Sequence, residues 1–206
     1  MIRSIIFTLL GYISGSILFA NVYCRLFGSE KVTEASRDGN PGTANAYMYG
    51  GFWVGTLTLI SDLAKGIIPV FLYTYGKTSA ELSADIMLAF VLAAPVIGHI
   101  FSVFYGFRGG KGVAVTFGVL LGLAPHMIPA LTLAFYFIFF SLVLRIVTHF
   151  HRTIVTYVFT AATLFLLKAG LPVCFGFLIV TAAVEVKLHQ SREERQKFEV
   201  KLLWMH

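Results

Sequence analysis

The sequence predicts an all-α integral membrane protein of about seven transmembrane helices in one compact bundle, with the N-terminus outside and the C-terminus cytoplasmic. Three observations carry this. Of 206 residues, 57% are hydrophobic and only 13% are charged, whereas a soluble domain has about 25% charged. The apolar residues gather in runs suited to a bilayer core of about 30 Å, which takes about 20 helical residues. Lys and Arg collect in alternate gaps between those runs, as the positive-inside rule requires. The same composition disfavours a disordered chain, a coiled coil and a DNA-binding domain, so no nucleic-acid partner is expected. Cys24 and Cys174 both sit in apolar stretches. They offer no disulfide framework and no zinc spacing, and neither metal nor cofactor is expected.

The runs cover residues 4–27, 51–75, 84–104, 113–126, 128–147, 153–167 and 171–186, the fourth and sixth being the weakest. The first outlasts the apolar core of a secretory signal and no Ala-x-Ala pattern follows, so it reads as a retained helix. With the N-terminus outside, twelve of the sixteen Lys and Arg fall inside, among them Arg25, Arg108, Lys111, Arg145, Arg152 and Lys187. Only Arg3, Lys77 and Lys168 fall outside, and Lys65 lies within a run. The pairs Gly11/Gly15, Gly51/Gly55 and Gly118/Gly122 suit close helix approach. The stretch 187–206 mixes charge with Phe198, Val200, Leu202, Leu203 and Trp204, and reads as an amphipathic helix on the inner leaflet, touching membrane lipids. No repeat divides the chain, so 1–206 is expected to be one domain.

Two polar inside loops interrupt the apolar pattern. The first holds Asp38-Gly39-Asn40-Pro41-Gly42-Thr43-Ala44-Asn45. Its Gly and Asn steps predict tight turns with backbone N–H groups and amides free for a polar ligand, and Thr43 or Asn45 is placed to cap a short following helix. A plain turn is the alternative. The second, Phe107-Arg108-Gly109-Gly110-Lys111-Gly112, stands directly before an apolar run. Consecutive glycines let several N–H groups converge beside two cations and a helix dipole, which points to phosphate. A nucleotide P-loop is excluded, because Tyr105 stands where its first glycine belongs and Gly112 follows Lys111 instead of Ser or Thr. Asp62 and Lys65 lie three apart on one helical face, where an internal ion pair is the cheaper reading and substrate contact the other. His99 reads as a packed, hydrogen-bonded histidine. His149 and His151 read either as an interfacial turn or as contacts to phosphate or lipid headgroups.

With these loops in view, the chain resembles the bacterial acyl-phosphate:glycerol-3-phosphate acyltransferases of the PlsY type over most of its length. The resemblance rests on Gly15-Ser16, Asp38-Gly39-Asn40-Pro41-Gly42 with Asn45, Asp62-x-x-Lys65-Gly66, Gly98-His99 and, above all, Phe107-Arg108-Gly109-Gly110-Lys111-Gly112-Val113-Ala114. It implies a seven-helix protein of the bacterial inner membrane with its site facing the cytoplasm. It implies transfer of an acyl chain from acyl phosphate to the 1-hydroxyl of glycerol 3-phosphate, giving lysophosphatidic acid for phospholipid synthesis, with an acyl-phosphate-producing enzyme as a possible partner. In the motif Ser-Gly-Asn-x-Gly-Ala-Thr-Asn-x-x-Arg the serine is Asp38 here, the threonine Ala44 and the arginine Met48, with Thr43 one residue displaced. Of the Ser-rich third motif only Thr148 keeps a hydroxyl, and of a C-terminal His-x-x-Asn motif His189 remains while Arg192 replaces the asparagine.

Acyl phosphate is already activated, so the chemistry needs alignment of the hydroxyl and stabilisation of growing charge, not a covalent nucleophile. Lys111 and the N–H groups of Gly109, Gly110 and Gly112, assisted by Arg108, fit the phosphate. Asn40 and Asn45, with Gly42 and Thr43, fit the glycerol phosphate. Asp38 fits as acceptor for the hydroxyl proton, yet its charge repels a dianion. The His-x4-Asp signature of thioester-using acyltransferases is missing. Two other readings stand beside the enzyme: a noncatalytic paralogue binding an anionic lipid or phosphorylated metabolite, and a small transporter, disfavoured by the missing inverted repeat.

Overall fold

A computed structural model describes residues 1–28, 32–36, 38–191 and 198–202. In chain order the described helices are α1 (Ile2–Gly15), α2 (Phe19–Leu26), α3 (Val32–Ala35), α4 (Thr43–Thr74), α5 (Ser79–Ala84), α6 (Leu88–Ile100), α7 (Val113–Leu121), α8 (Ile128–Ile138), α9 (His149–Leu166) and α10 (Leu171–Gln190). Strands β1 (Leu144–Ile146) and β2 (Val200–Leu202) pair antiparallel, with Arg145 opposite Lys201. The ribbon corrects two expectations: the fold is mostly but not wholly α, and 200–202 is a strand where an amphipathic helix was expected.

Three stretches among the described residues are long and apolar enough to cross a membrane: Thr43–Thr74, Leu88–Tyr105 and Leu171–Gln190. The pair α1–α2, bent by 43°, makes a fourth. Of the other expected spans, α7 has nine residues and α8 eleven, the latter running into a wide turn over Phe139–Val143. Helix α9 has 18 residues, but His149, His151, Arg152 and four threonines dilute its apolar character. The outward side of α1 shows Ile2, Ile5, Leu9, Leu10 and Ile13, each about half exposed or more. An apolar face of that extent belongs against lipid.

Helix α6 packs between α1 and α10, and α4 packs along α7. Its Leu88, Val91, Leu92, Val96 and Ile100 form one core with Val115, Val119 and Leu120 of α7 and Phe177, Val180, Val184 and Leu188 of α10. Backbone contact brings α4 and α7 together, since a Cβ on Gly118 would overlap the Leu63 carbonyl oxygen. Gly15 sits likewise on the Pro95 carbonyl of α6. Gly51/Gly55 does not act as such a pair. Gly51 has φ 84° and ψ −179° and puts a kink in α4, a backbone state open to glycine alone. The kink sets Thr43–Gly50 apart as a separate arm of the helix.

The break between α1 and α2 releases carbonyls that must be satisfied inside the bundle. Ser102 Oγ donates to the Ser16 carbonyl, and Lys65 Nζ donates to that of Ile17 at 2.7 Å. A buried lysine in the middle of an apolar run thus answers a need created 48 residues earlier.

Candidate active site

At one end of the bundle the two Gly-rich loops close on each other. Asp38 is their joint: its Oδ2 lies 3.0 Å from Lys111 Nζ, and its Oδ1 accepts from Asn45 Nδ2 at 2.7 Å and from the Asn40 N–H at 3.2 Å. Asn45 Nδ2 also donates to the Asn40 carbonyl at 2.9 Å, and Asn40 Oδ1 accepts from the Lys111 N–H at 3.2 Å. Burial alone would push the Asp38 carboxyl up; the Lys111 ammonium, the Asn45 amide and the Asn40 N–H outweigh it and hold Asp38 below the ordinary carboxylate range. Asp38 is therefore ionised and strongly held.

The helix after the first loop begins at Thr43 with Gly42 as its N-cap and no side-chain cap, which corrects the expectation that Thr43 or Asn45 caps it. Asn45 instead turns back to brace the loop. Gly112 caps α7 at φ 81°, a left-handed state that favours glycine. The second loop is tied to α6 by the Gly110 N–H, which donates to the His99 carbonyl at 3.0 Å.

Two cavities share Asn40 and Lys111. The first, of about 570 Å³, is of mixed character, and Asp38, Arg108, Lys187, Gln190 and Ser191 line it, with Glu34 and Phe107 also in its wall. The second, of about 320 Å³, lies where α4 and α7 begin, against Thr43, Val113 and Ala114, with His99, Asp62 and His149 also in its wall. The opening N–H groups of a helix have no intrahelical partners and carry positive partial charge. Two helix starts and Lys111 thus line this cavity, with the Asp62 carboxylate in the same wall.

The structure thus brings together Asp38, Asn40, Gly42, Thr43, Asn45, Arg108, Gly109, Lys111 and Gly112, with Gly110 packed on His99. Thr148 and His189 line neither cavity: Thr148 Oγ1 lies 2.7 Å from His151 Nδ1, and His189 meets Phe150 edge to face with ring centroids 5.2 Å apart. Arg192 lies outside the described residues. Met48, at the position of the missing arginine, is 68% exposed and lines neither cavity. Lys187 is the cation that sequence reasoning passed over; its signal was its place as the first charge after the last apolar run. His149 was left open between an interfacial turn and a contact to phosphate or lipid headgroups, and the structure puts it in the wall of the second cavity. The pair Asp62–Lys65, 2.8 Å apart and buried, is the internal ion pair expected.

Apolar helices that face lipid define a multi-pass membrane protein, with two glycine-rich loops joined at one end of its bundle. A profile of the family described as glycerol-3-phosphate acyltransferase matches residues 5–196, and the chain belongs to that family. A glycerol-3-phosphate acyltransferase of Legionella pneumophila is 43% identical over 114 residues, 55% of this chain and 39% of the relative. One of Albidiferax ferrireducens is 41% identical over 142 residues, 66% of this chain and 62% of the relative. The chain thus aligns with only about two fifths to three fifths of the length of these relatives. The crystal structure of PlsY, an integral membrane glycerol 3-phosphate acyltransferase, in its glycerol 3-phosphate form is similar at a TM-score of 0.75 and 27% identity, covering 91% of this chain and 88% of that one. Its lysophosphatidic acid form gives 0.72 and 26%.

Proposed function

We propose that this chain transfers a fatty acyl group from acyl phosphate to the 1-hydroxyl of glycerol 3-phosphate, forming lysophosphatidic acid and phosphate. The observation that carries the reading is Lys111, whose ammonium stands at the junction of two anion-suited cavities while its carboxylate partner, Asp38, closes the first loop around it. A reaction between two phosphorylated substrates needs such a shared cation. The larger cavity, with Arg108 and Lys187, takes glycerol 3-phosphate, and the smaller one takes the phosphoryl head of acyl phosphate. The hydroxyl oxygen attacks the acyl carbonyl carbon, the carbon–oxygen bond to phosphate breaks, and the hydroxyl proton leaves with the departing phosphate. Asp38, held ionised, is a weak base. It accepts a hydrogen bond from the hydroxyl and aligns it.

In the same reading the chain crosses the bacterial inner membrane seven times, N-terminus outside, and the site faces the cytoplasm, where an acyl-phosphate-producing enzyme supplies the donor. The charge distribution and the outward apolar faces support this. A cysteine-labelling scan from both sides of the membrane tests it, and a labelled loop at Asp38 from the periplasmic side would overturn it. The departures at Asp38, Ala44 and Met48 favour a second reading, a protein that binds phosphorylated ligand without turnover. Product analysis with palmitoyl phosphate and glycerol 3-phosphate separates the two: lysophosphatidic acid supports the enzyme, and binding with no product supports the second.

A further inference from the structure

Lys65 Nζ forms an ion pair with Asp62 Oδ1 at 2.8 Å and hydrogen-bonds the Ile17 carbonyl at 2.7 Å, and His99 Nδ1 stands 2.8 Å from it. An ammonium carries no acceptor, so His99 Nδ1 must present its lone pair and the ring proton must sit on Nε2. Both side chains are shut away from water, at 5% and 2% exposure, so no solvent exchange relaxes this assignment. The Nε2 edge is pressed against the glycine loop, where a Cβ on Gly110 would collide with it. His99 is also one of the residues in the wall of the second cavity, together with Lys111 and the start of α7.

We infer that His99 is a neutral Nε2–H donor, locked in that tautomer by Lys65, which hydrogen-bonds an oxygen of the acyl phosphate at the glycine loop. His99 is then a catalytic residue for the proposed reaction, and Lys65, with Asp62 holding its charge, is a positioning residue acting through it. The inference rests on the acyl-phosphate reading for the identity of the ligand; the tautomer lock stands on the Lys65–His99 contact alone. It gives the buried ion pair a task beyond packing. It also explains a small residue at 110, since any side chain there would push the ring away from the loop. A preset neutral donor stabilises charge that grows during acyl transfer without moving a proton.

The test uses the full chain in lipid nanodiscs with ¹⁵N-labelled histidine. His99 is identified by the resonance lost in His99→Gln. The expected signature is a protonated Nε2 and an unprotonated Nδ1, with the Nε2 proton moving downfield on addition of palmitoyl phosphate. Lys65→Met is expected to give a mixture of tautomers. In turnover, His99→Phe, which keeps a ring but no donor, is expected to lower kcat about 10²- to 10³-fold, the usual cost of one lost charge-stabilising donor, with KM for glycerol 3-phosphate within about threefold. His99→Gln, which restores a donor, is expected to recover at least about tenfold over Phe. A wild-type ring protonated on Nδ1, a cationic ring, or no response of the Nε2 proton to saturating palmitoyl phosphate would overturn the inference. So would a His99→Phe variant with unchanged kcat. If the wild type shows the tautomer and the shift yet makes no product, the acyltransferase reading fails and the donor assignment survives.

Discussion

Asp38→Asn separates two effects that one carboxylate combines. The substitution keeps the shape and leaves an oxygen for the Asn40 N–H and Asn45 Nδ2, but it removes the negative charge 3.0 Å from Lys111 Nζ. A phosphate oxygen held on the other side of that ammonium, at about 2.8 Å, stands about 6 Å from the carboxylate. Two unit charges at that separation repel by about 2.8 kcal/mol at an effective dielectric of about 20 and about 0.7 kcal/mol in bulk water. The side chains of Lys111 and Asp38 are 10% and 17% exposed, which places the site between those limits. About 1.4 kcal/mol is the working value, or about tenfold in affinity. The KM for glycerol 3-phosphate is therefore expected to fall about tenfold in Asp38→Asn. Loss of the acceptor that aligns the hydroxyl is expected to lower kcat at the same time, by about 10- to 100-fold. Initial rates against glycerol 3-phosphate at saturating palmitoyl phosphate measure both. A KM that rises about tenfold would refute the reasoning and show that the charge assembles the anion site instead of opposing it. An unchanged kcat would remove Asp38 from the chemistry.

Other outcomes follow from the same geometry. Asn40→Ala removes the bond from the Lys111 N–H, worth about 1 kcal/mol net, and about a fivefold loss of phosphate affinity by calorimetry is expected; an unchanged affinity would show that the loops hold together without it. Gly118→Val puts a branched side chain against the Leu63 carbonyl and is expected to lower the melting temperature in detergent, through overpacking of about 1–3 kcal/mol. Asp85, bonded to Lys77 Nζ and Tyr73 Oη at 2.6 Å each, is held below the ordinary carboxylate range, because those partners outweigh the upward push of burial. A depressed carboxyl stabilises fully above its unfolded value of about 3.9, and the contribution is lost as pH falls through the folded value. Asp85→Asn is thus expected to lower stability at neutral pH and to flatten the acid limb of the melting curve; an acid limb identical to wild type would rule out the Lys77–Asp85 pair as its source.

The membrane class and the two polar loops were legible in the sequence, because apolar length and glycine density are local signals. The meeting of the loops was only half legible: each looked suited to a polar ligand, but Asp38 reaching Lys111 is a contact across 73 positions of sequence. The break at 16–18 was hidden in an unbroken apolar run, since its stabilising partners, Ser102 and Lys65, come from other helices. For the same reason Lys65 and Asp62 read as a local ion pair or a substrate contact, and the partner His99 was unseen. A short helix after the first loop was expected, but its continuation across a kink at Gly51 into the following span was not, because a glycine at φ 84° leaves no local signal of helix on both sides of it. The ribbon was missed because three residues of β1 and three of β2 carry no periodicity of their own.

The central claim, that Lys111 stands where two phosphorylated substrates meet, is tested most directly by lysophosphatidic acid formation from palmitoyl phosphate and radiolabelled glycerol 3-phosphate, comparing wild-type protein in lipid with Lys111→Ala. The account predicts product from the wild type and a loss of about 10²- to 10³-fold or more in kcat/KM for the variant, as expected when a preorganised charge is removed from the transition state. Wild-type turnover that survives Lys111→Ala within a few fold, in protein that remains folded, would contradict it.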